Sequence, residues 1–218
     1  MKIGILGCGN LGSTLGKFWA EAGHDVLFAS GQPEKAARLA LDCQSGHGSY
    51  AEVLEQSSVV LYGIRGVEPQ SLCPGGWSGK TVIDCNQPEL PLGFEFKPRD
   101  FSLAERLAAA LPLCQVVKAF CLFPVELYHH GPDTLRSWGV QTFYCGDSPD
   151  DKAKVRQLAV DLGLLPFDCG ALSRAYLLEA QADFWRLFQL HQGQQLVSQF
   201  QLVGYPEPPS FSRQPGRF

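Results

Sequence analysis

Lys2-Ile3-Gly4-Ile5-Leu6-Gly7-Cys8-Gly9-Asn10-Leu11-Gly12 is the stretch on which the fold turns. Its first five residues form a short apolar run and read as a buried strand. A glycine cluster follows. Helical spacing begins at Leu11, with Leu11, Leu15, Phe18, Trp19 and Ala22 on one side, and Gly23 stands where a helix would be capped. Working outward, Val26–Ala29 reads as a second strand, and Pro33 opens a helix to about Cys43. Ser49 can cap a short helix to about Gln56. Val59–Ile64 and Thr81–Cys85 are strand-like. Ser102-Leu103-Ala104-Glu105 is a capping-box signal for a helix ending near Leu111. Gln115–Phe120 and Val140–Cys145 are further strands. An amphipathic helix spans Pro149–Leu162, Gly163 stops it, and Leu164–Phe167 is a last short strand. A long helix is expected from about Ser173 to Phe200. Strands alternating with helices imply parallel pairing through right-handed crossovers. The expected class is α/β, a Rossmann-type, doubly wound, mainly parallel sheet with a C-terminal helix. Residues 1–203 read as one domain, and 204–218, with four prolines, as a tail without regular structure.

Gly7, Gly9 and Gly12 form a GxGxxG pattern. Alone it is weak; between a strand and a helix it carries a mechanism. Gly7 permits a tight turn, Gly9 lets a pyrophosphate approach the backbone, and Gly12 lets helix and strand pack closely. The amides of Asn10 and Leu11 then face the phosphates. The end of the second strand reads on the ribose. An Asp or Glu there binds the 2′-hydroxyl of NAD; here the sequence is Ala29-Ser30-Gly31-Gln32-Pro33-Glu34-Lys35, without a carboxylate at the strand end. Ser30 can hydrogen-bond a 2′-phosphate and Lys35 or Arg38 can supply charge, which favours NADP(H) over NAD. Lys35 and Arg38 read equally as a solvated helix face.

The chain has 218 residues, 45% of them apolar and 18% charged, with a net charge of −4. A sizeable core is expected, and no basic patch suggests nucleic acid. The eight cysteines form no CxxC pair, and no signal peptide is recognised, so free thiols in a reducing cytoplasmic setting are expected. No apolar run reaches the roughly 18 residues of a membrane span.

Beyond the glycine loop, three segments carry a family resemblance. Val116-Val117-Lys118-Ala119-Phe120, Cys145-Gly146-Asp147 with the helix after it, and the block from Asp168 to Glu179 (Asp168, Gly170, Leu172, Arg174, Leu178, Glu179) resemble the NADP oxidoreductases that use the deazaflavin coenzyme F-420. They also resemble the cytosolic domains of six-transmembrane metalloreductases. The resemblance covers about residues 1–180. It implies NADP(H) in the first half and a small-molecule redox acceptor, a deazaflavin, a flavin or a metal, at the strand C-termini. Hydride would pass directly between stacked rings, so no acid–base residue is required and none is assigned as catalytic. The positions implied for that cleft are Gly63, Ile64, Asn86 and Phe120 for the cofactor, and Cys121, Pro124 and Leu172 for the substrate. Gly31, Arg65 and Cys121 depart from the family's pattern. They leave open a redox-sensing protein that binds NADP(H) without turnover. The N-terminal run is also similar to pyrroline-carboxylate reductases, which leaves an imine reductase open.

Other residues have plainer readings. Cys121 reads as a small apolar wall residue rather than a reactive thiol. His129-His130 reads as a surface pair, and no metal site is expected. Glu126, Asp168 and Glu179 read as caps and ion-pair partners. Arg65 could reach an anionic acceptor or a cofactor phosphate, or be a surface residue. Phe184, Trp185, Leu187 and Phe188 read as core or dimer packing rather than a substrate lid, with a homodimer expected.

Overall fold

A computed structural model describes residues 1–89, 101–122, 124–192 and 200–204. The chain runs β1 (Lys2–Leu6), α1 (Asn10–Glu21), β2 (Asp25–Ala29), α2 (Pro33–Asp42), β3 (Gly46–His47), α3 (Tyr50–Gln56) and β4 (Val59–Tyr62). It continues through α4 (Pro69–Leu72), β5 (Thr81–Asp84), α5 (Leu103–Ala110), β6 (Gln115–Lys118), α6 (Val125–Tyr128) and α7 (Pro132–Ser137). It closes with β7 (Gln141–Gly146), α8 (Pro149–Asp161), β8 (Leu165–Asp168), a 3-10 turn at Leu172–Arg174 and α9 (Ala175–Gln192). The eight strands form one sheet in the order β3-β2-β1-β4-β5-β6-β7-β8. This is the Rossmann-type architecture.

Local chemistry accounts for the elements. β1 and β4 are almost wholly buried, as expected for central parallel strands covered on both faces. α1 ends in a Schellman arrangement: Gly23 donates to Ala20 O at 2.9 Å and His24 to Trp19 O at 3.0 Å, with Gly23 at φ +87°. α3 has a complete capping box, in which Ser49 and Glu52 bond reciprocally. The indole of Trp19, fully buried, donates to Leu158 O at 3.0 Å and so ties α1 to α8.

Three features differ from the sequence expectation. First, β6 and β7 are antiparallel, and only Val117↔Gly146 and Lys118↔Cys145 are in register. The linking segment, in which the sequence reading placed no element, holds two short helices, α6 and α7. The chain re-enters from the same end of the sheet, which an antiparallel pair allows. Second, the strand through Lys118 stops before Phe120, which adopts φ +60°. Its ring meets Trp19 edge-on at 5.6 Å. Third, the last helix does not reach Phe200. That residue is not helical, and its ring stacks on Phe184 of α9 at 5.2 Å. Residues 205–218, most of the expected tail, lie outside the described residues.

Candidate functional site

The registers align Leu6, Tyr62, Asp84 and Lys118 across the C-terminal ends of β1, β4, β5 and β6. The chain leaves β1 toward β2 on one side and returns to β4 on the other. That switch point is where open α/β sheets leave a crevice. Gly7 begins the rim of β1. Its φ is +104°, and a Cβ there would stand 2.8 Å from Gly63 O, so the turn needs glycine on both counts. Gly12 packs against the same turn, since a Cβ would come within 2.2 Å of Gly7 O. Gly9 is different. Its φ is an ordinary −72°, and a Cβ would meet nothing within 4 Å. The fold does not require glycine there. Gly9 is the N-cap of the 12-residue α1, with no side-chain cap and no acidic residue in the first turn. The free amides of that turn therefore open onto the crevice with their partial positive charge unanswered.

The crevice in front of these amides is a cavity of about 550 Å³. Gly9–Gly12 form one end and Cys85, Asn86, Gln87, Phe120 and Cys121 the other, while Trp185 and Arg186 reach in from α9. Beside it lies a second cavity of about 310 Å³, lined by Tyr62, Ile64, Leu103, Arg106 and Leu107 among others. The two share Arg65, Asn86 and Gln87 as a common wall.

That wall is held from below by buried charge. Lys118, fully buried, donates to Asp84 Oδ2 at 2.9 Å and to the Asn86 carbonyl, and lies 3.2 Å from Glu179 Oε1. Burial alone would pull Lys118 toward neutrality; the carboxylates facing it outweigh burial and hold it charged. Asp84 also accepts from the Asn86 amide at 3.0 Å, and the Asn86 side chain donates to Tyr62 O at 2.9 Å. Gln87 Nε2 donates to Cys121 O at 2.9 Å. Gln87 Oε1 is buried and, among the described residues, has no hydrogen-bond partner. Such an acceptor costs roughly 1–3 kcal/mol until something donates to it.

The sequence-derived positions distribute as follows. Gly9, Asn10, Leu11, Gly12, Gly63, Asn86, Phe120, Cys121 and Pro124 line the larger cavity. Gly7 lies beneath it in the turn, and Ile64 lines the smaller cavity. Ser30 and Lys35 stand outside both linings. Ser30 Oγ accepts from Gln32 N at 3.1 Å, Lys35 is exposed, and a Cβ on Gly31 would lie 3.7 Å from the Tyr50 hydroxyl. Leu172 belongs to neither cavity; it is buried, and its amide donates to Asp147 Oδ1 at 2.9 Å. Cys121 is buried, and burial pushes its thiol up to about 11. Glu179 accepts from the Leu103 amide at 2.9 Å and so caps α5. Asp168 pairs with Lys152 at 2.9 Å. His129 lies 3.5 Å from Thr14 Oγ1, and no cluster suited to a metal occurs among the described residues. The eight cysteines are free thiols, and no described helix is long and apolar enough to cross a membrane.

Gln87 and Arg186 were not legible as site residues. Trp185 sits in an aromatic run whose spacing favours packing over a substrate lid, and α9 carries it back to the cavity wall beside a loop about a hundred residues earlier. Gln87 follows Asn86 without a pattern of its own.

Comparison with known proteins places these observations. Residues 2–88 match the family model "NADP oxidoreductase coenzyme F420-dependent". The metalloreductase STEAP3 of Rattus norvegicus is 29% identical over 181 residues, 82% of this chain. The chain spans about a third of that relative, 36% of its length. Among solved structures, a candidate F420-dependent NADP-reductase of Arthrobacter sp. FB24 superposes with a TM-score of 0.79 at 21% identity, over 94% of this chain and 100% of that one. A reductive aminase of Aspergillus terreus in complex with NADPH and ethyl levulinate superposes with a TM-score of 0.66 at 17% identity, over 88% of this chain and 62% of that one. The chain is thus related in sequence to oxidoreductases and shares their fold.

Proposed function

We propose, from this kinship with NADP-dependent oxidoreductases, that the chain is itself one: it binds NADP(H) in the larger cavity and passes hydride to a small-molecule acceptor. The observation that carries the reading is Gly9. A glycine that the backbone does not need stands at an uncapped helix N-terminus facing the crevice, where a pyrophosphate requires close approach. The residues present fit the cofactor. Asn10 and Leu11 belong to the amide-bearing first turn, Gly63 and Phe120 shape the cavity, and Gln87 offers an unanswered acceptor. Ser30 follows β2, the Tyr50 hydroxyl lies beside Gly31, and Lys35 stands in the first turn of α2; together they would supply a hydroxyl, a phenol and a cation for a 2′-phosphate. When bound, the nicotinamide supplies the hydride. The protein orients the reactants and excludes water, with no proton relay required.

The acceptor is read as a deazaflavin or a flavin adjoining the shared wall, or as a chelated metal that takes the two electrons one at a time through such a flavin, with Arg65 on that wall and Arg186, paired with Asp183, beside it. Oxidation of NADPH is to be followed with deazaflavin, free flavins, ferric chelate and a cyclic imine in turn. Turnover of one of the first three supports the reading. Turnover of the imine alone moves it to the imine reductases, and NADPH binding without any turnover leaves a sensor.

The outward side of α9 exposes Tyr176, Leu177, Phe184 and Phe188, an apolar stripe that supports a homodimer through this face. Sedimentation is expected to give twice the chain mass; a monomer at tens of micromolar removes the dimer.

A further inference from the structure

Gln87 is more than nine-tenths buried, and it lies on the wall common to both cavities. The orientation of its amide is fixed. Nε2 is 2.9 Å from the Cys121 carbonyl, and only the NH2 end can donate to a carbonyl; turned over, two oxygens would face each other. Oε1 is therefore left as the acceptor without a partner among the described residues. The loop carrying it is not free to swing away, because Lys118 and Asp84 hold the carbonyl and amide of the preceding Asn86.

We infer that Gln87 Oε1 accepts a hydrogen bond from the carboxamide NH2 of the dinucleotide's nicotinamide ring, and so fixes which way the ring lies. The inference rests on the dinucleotide reading of the larger cavity and adds a residue to it. Position decides which donor is met. The helix N-terminus after β1 takes the pyrophosphate, and Gln87 follows β5, two strands away, about 10 Å across the sheet. The ribose adjoins the phosphates, whereas the carboxamide is the outermost donor on that half of the molecule. Beside Gln87 the wall carries the thiols of Cys85 and Cys121 and the ring of Phe120, with Asn86, Arg65 and Arg186 as its polar members. An apolar ring with one polar edge suits such a surface.

The test compares two ligands that differ at this one group: oxidised NADP and its 3-acetylpyridine analogue, in which a methyl ketone replaces the amide and removes the donor. Dissociation constants are read by calorimetry, so no turnover is needed. Wild-type protein is expected to bind the natural cofactor about tenfold more tightly than the analogue. Gln87→Met, similar in length, is expected to bind both with the analogue's affinity, its melting midpoint showing that it is folded. Equal affinity of wild-type protein for the two ligands overturns the inference while leaving the dinucleotide site intact. Binding of neither ligand overturns the dinucleotide reading itself. Should the variant not fold, the wild-type comparison alone decides.

Discussion

A methyl group added at Gly9 and one added at Gly12 meet different surroundings three residues apart. At Gly12 it runs into the carbonyl of Gly7, which is backbone and cannot turn aside. Gly12→Ala is expected to lower stability by about 1–3 kcal/mol, through overpacking where helix meets strand. At Gly9 it meets nothing. Gly9→Ala is expected to keep its melting transition within about 1 kcal/mol of wild type, the scale of a changed N-cap. It is expected to lose at least tenfold in NADPH affinity, because the methyl stands where the pyrophosphate must come. Thermal unfolding and equilibrium binding of the two variants check this split. The glycine pattern shows in the sequence because Gly7 and Gly12 answer to backbone requirements and Gly9 to the close approach of a ligand. Gln87 and Trp185 answer to none, and only the assembled fold brings them to the cavity.

At the scale of elements, buried charge joins what the sheet does not. Lys118 of β6 faces Asp84 of β5 and Glu179 of α9, and Glu179 also caps α5. Lys118→Met would leave two carboxylates buried without their cation. It is expected to cost about 3–5 kcal/mol in chemical denaturation, the range for breaking a buried ion pair from one side. A second junction lies at the start of α8, where Asp151 bonds Thr81 of β5, Ser148 and Lys154. Burial works against its ionisation, but the bonds from Lys154, Ser148 and Thr81 win and hold its carboxyl below the ordinary 3.8. A depressed folded-state value means that the unfolded chain takes up the proton first. The stability is present above the ordinary aspartate value and is lost as pH falls through the folded one. Asp151→Asn is therefore expected to flatten the acid limb of a stability–pH curve below about pH 4. A variant limb parallel to wild type would count against it. The helix starts and stops were legible, since proline, serine and glycine sit at the ends where backbone groups need them. The sense of β7 was not, because strand composition is the same in either direction and the direction depends on the route of the connecting segment.

For the molecule as a whole, alternating buried strands and amphipathic helices specify the doubly wound sheet, and the sheet order places its crevice above β1 and β4. The part of the site built on that crevice could be read ahead of the structure: the glycine turn, Gly63, Asn86, Phe120 and Cys121. The part contributed from afar could not. Leu172 lies within a motif that resembles relatives, yet here it packs beneath the sheet end, while α9 presents Trp185 and Arg186 instead.

The central claim is that the larger cavity exists to hold NADP(H). Its most direct test is titration of the purified wild-type chain with NADPH and, separately, NADH, following quenching of the tryptophan emission, to which Trp185 at the cavity wall contributes with Trp19, Trp77 and Trp138. Saturable one-to-one binding of NADPH in the micromolar range or tighter, with NADH at least tenfold weaker, is the predicted result. Tighter binding of NADH would contradict the 2′-phosphate assignment at Ser30, Lys35 and Tyr50, and binding of neither would contradict the claim itself.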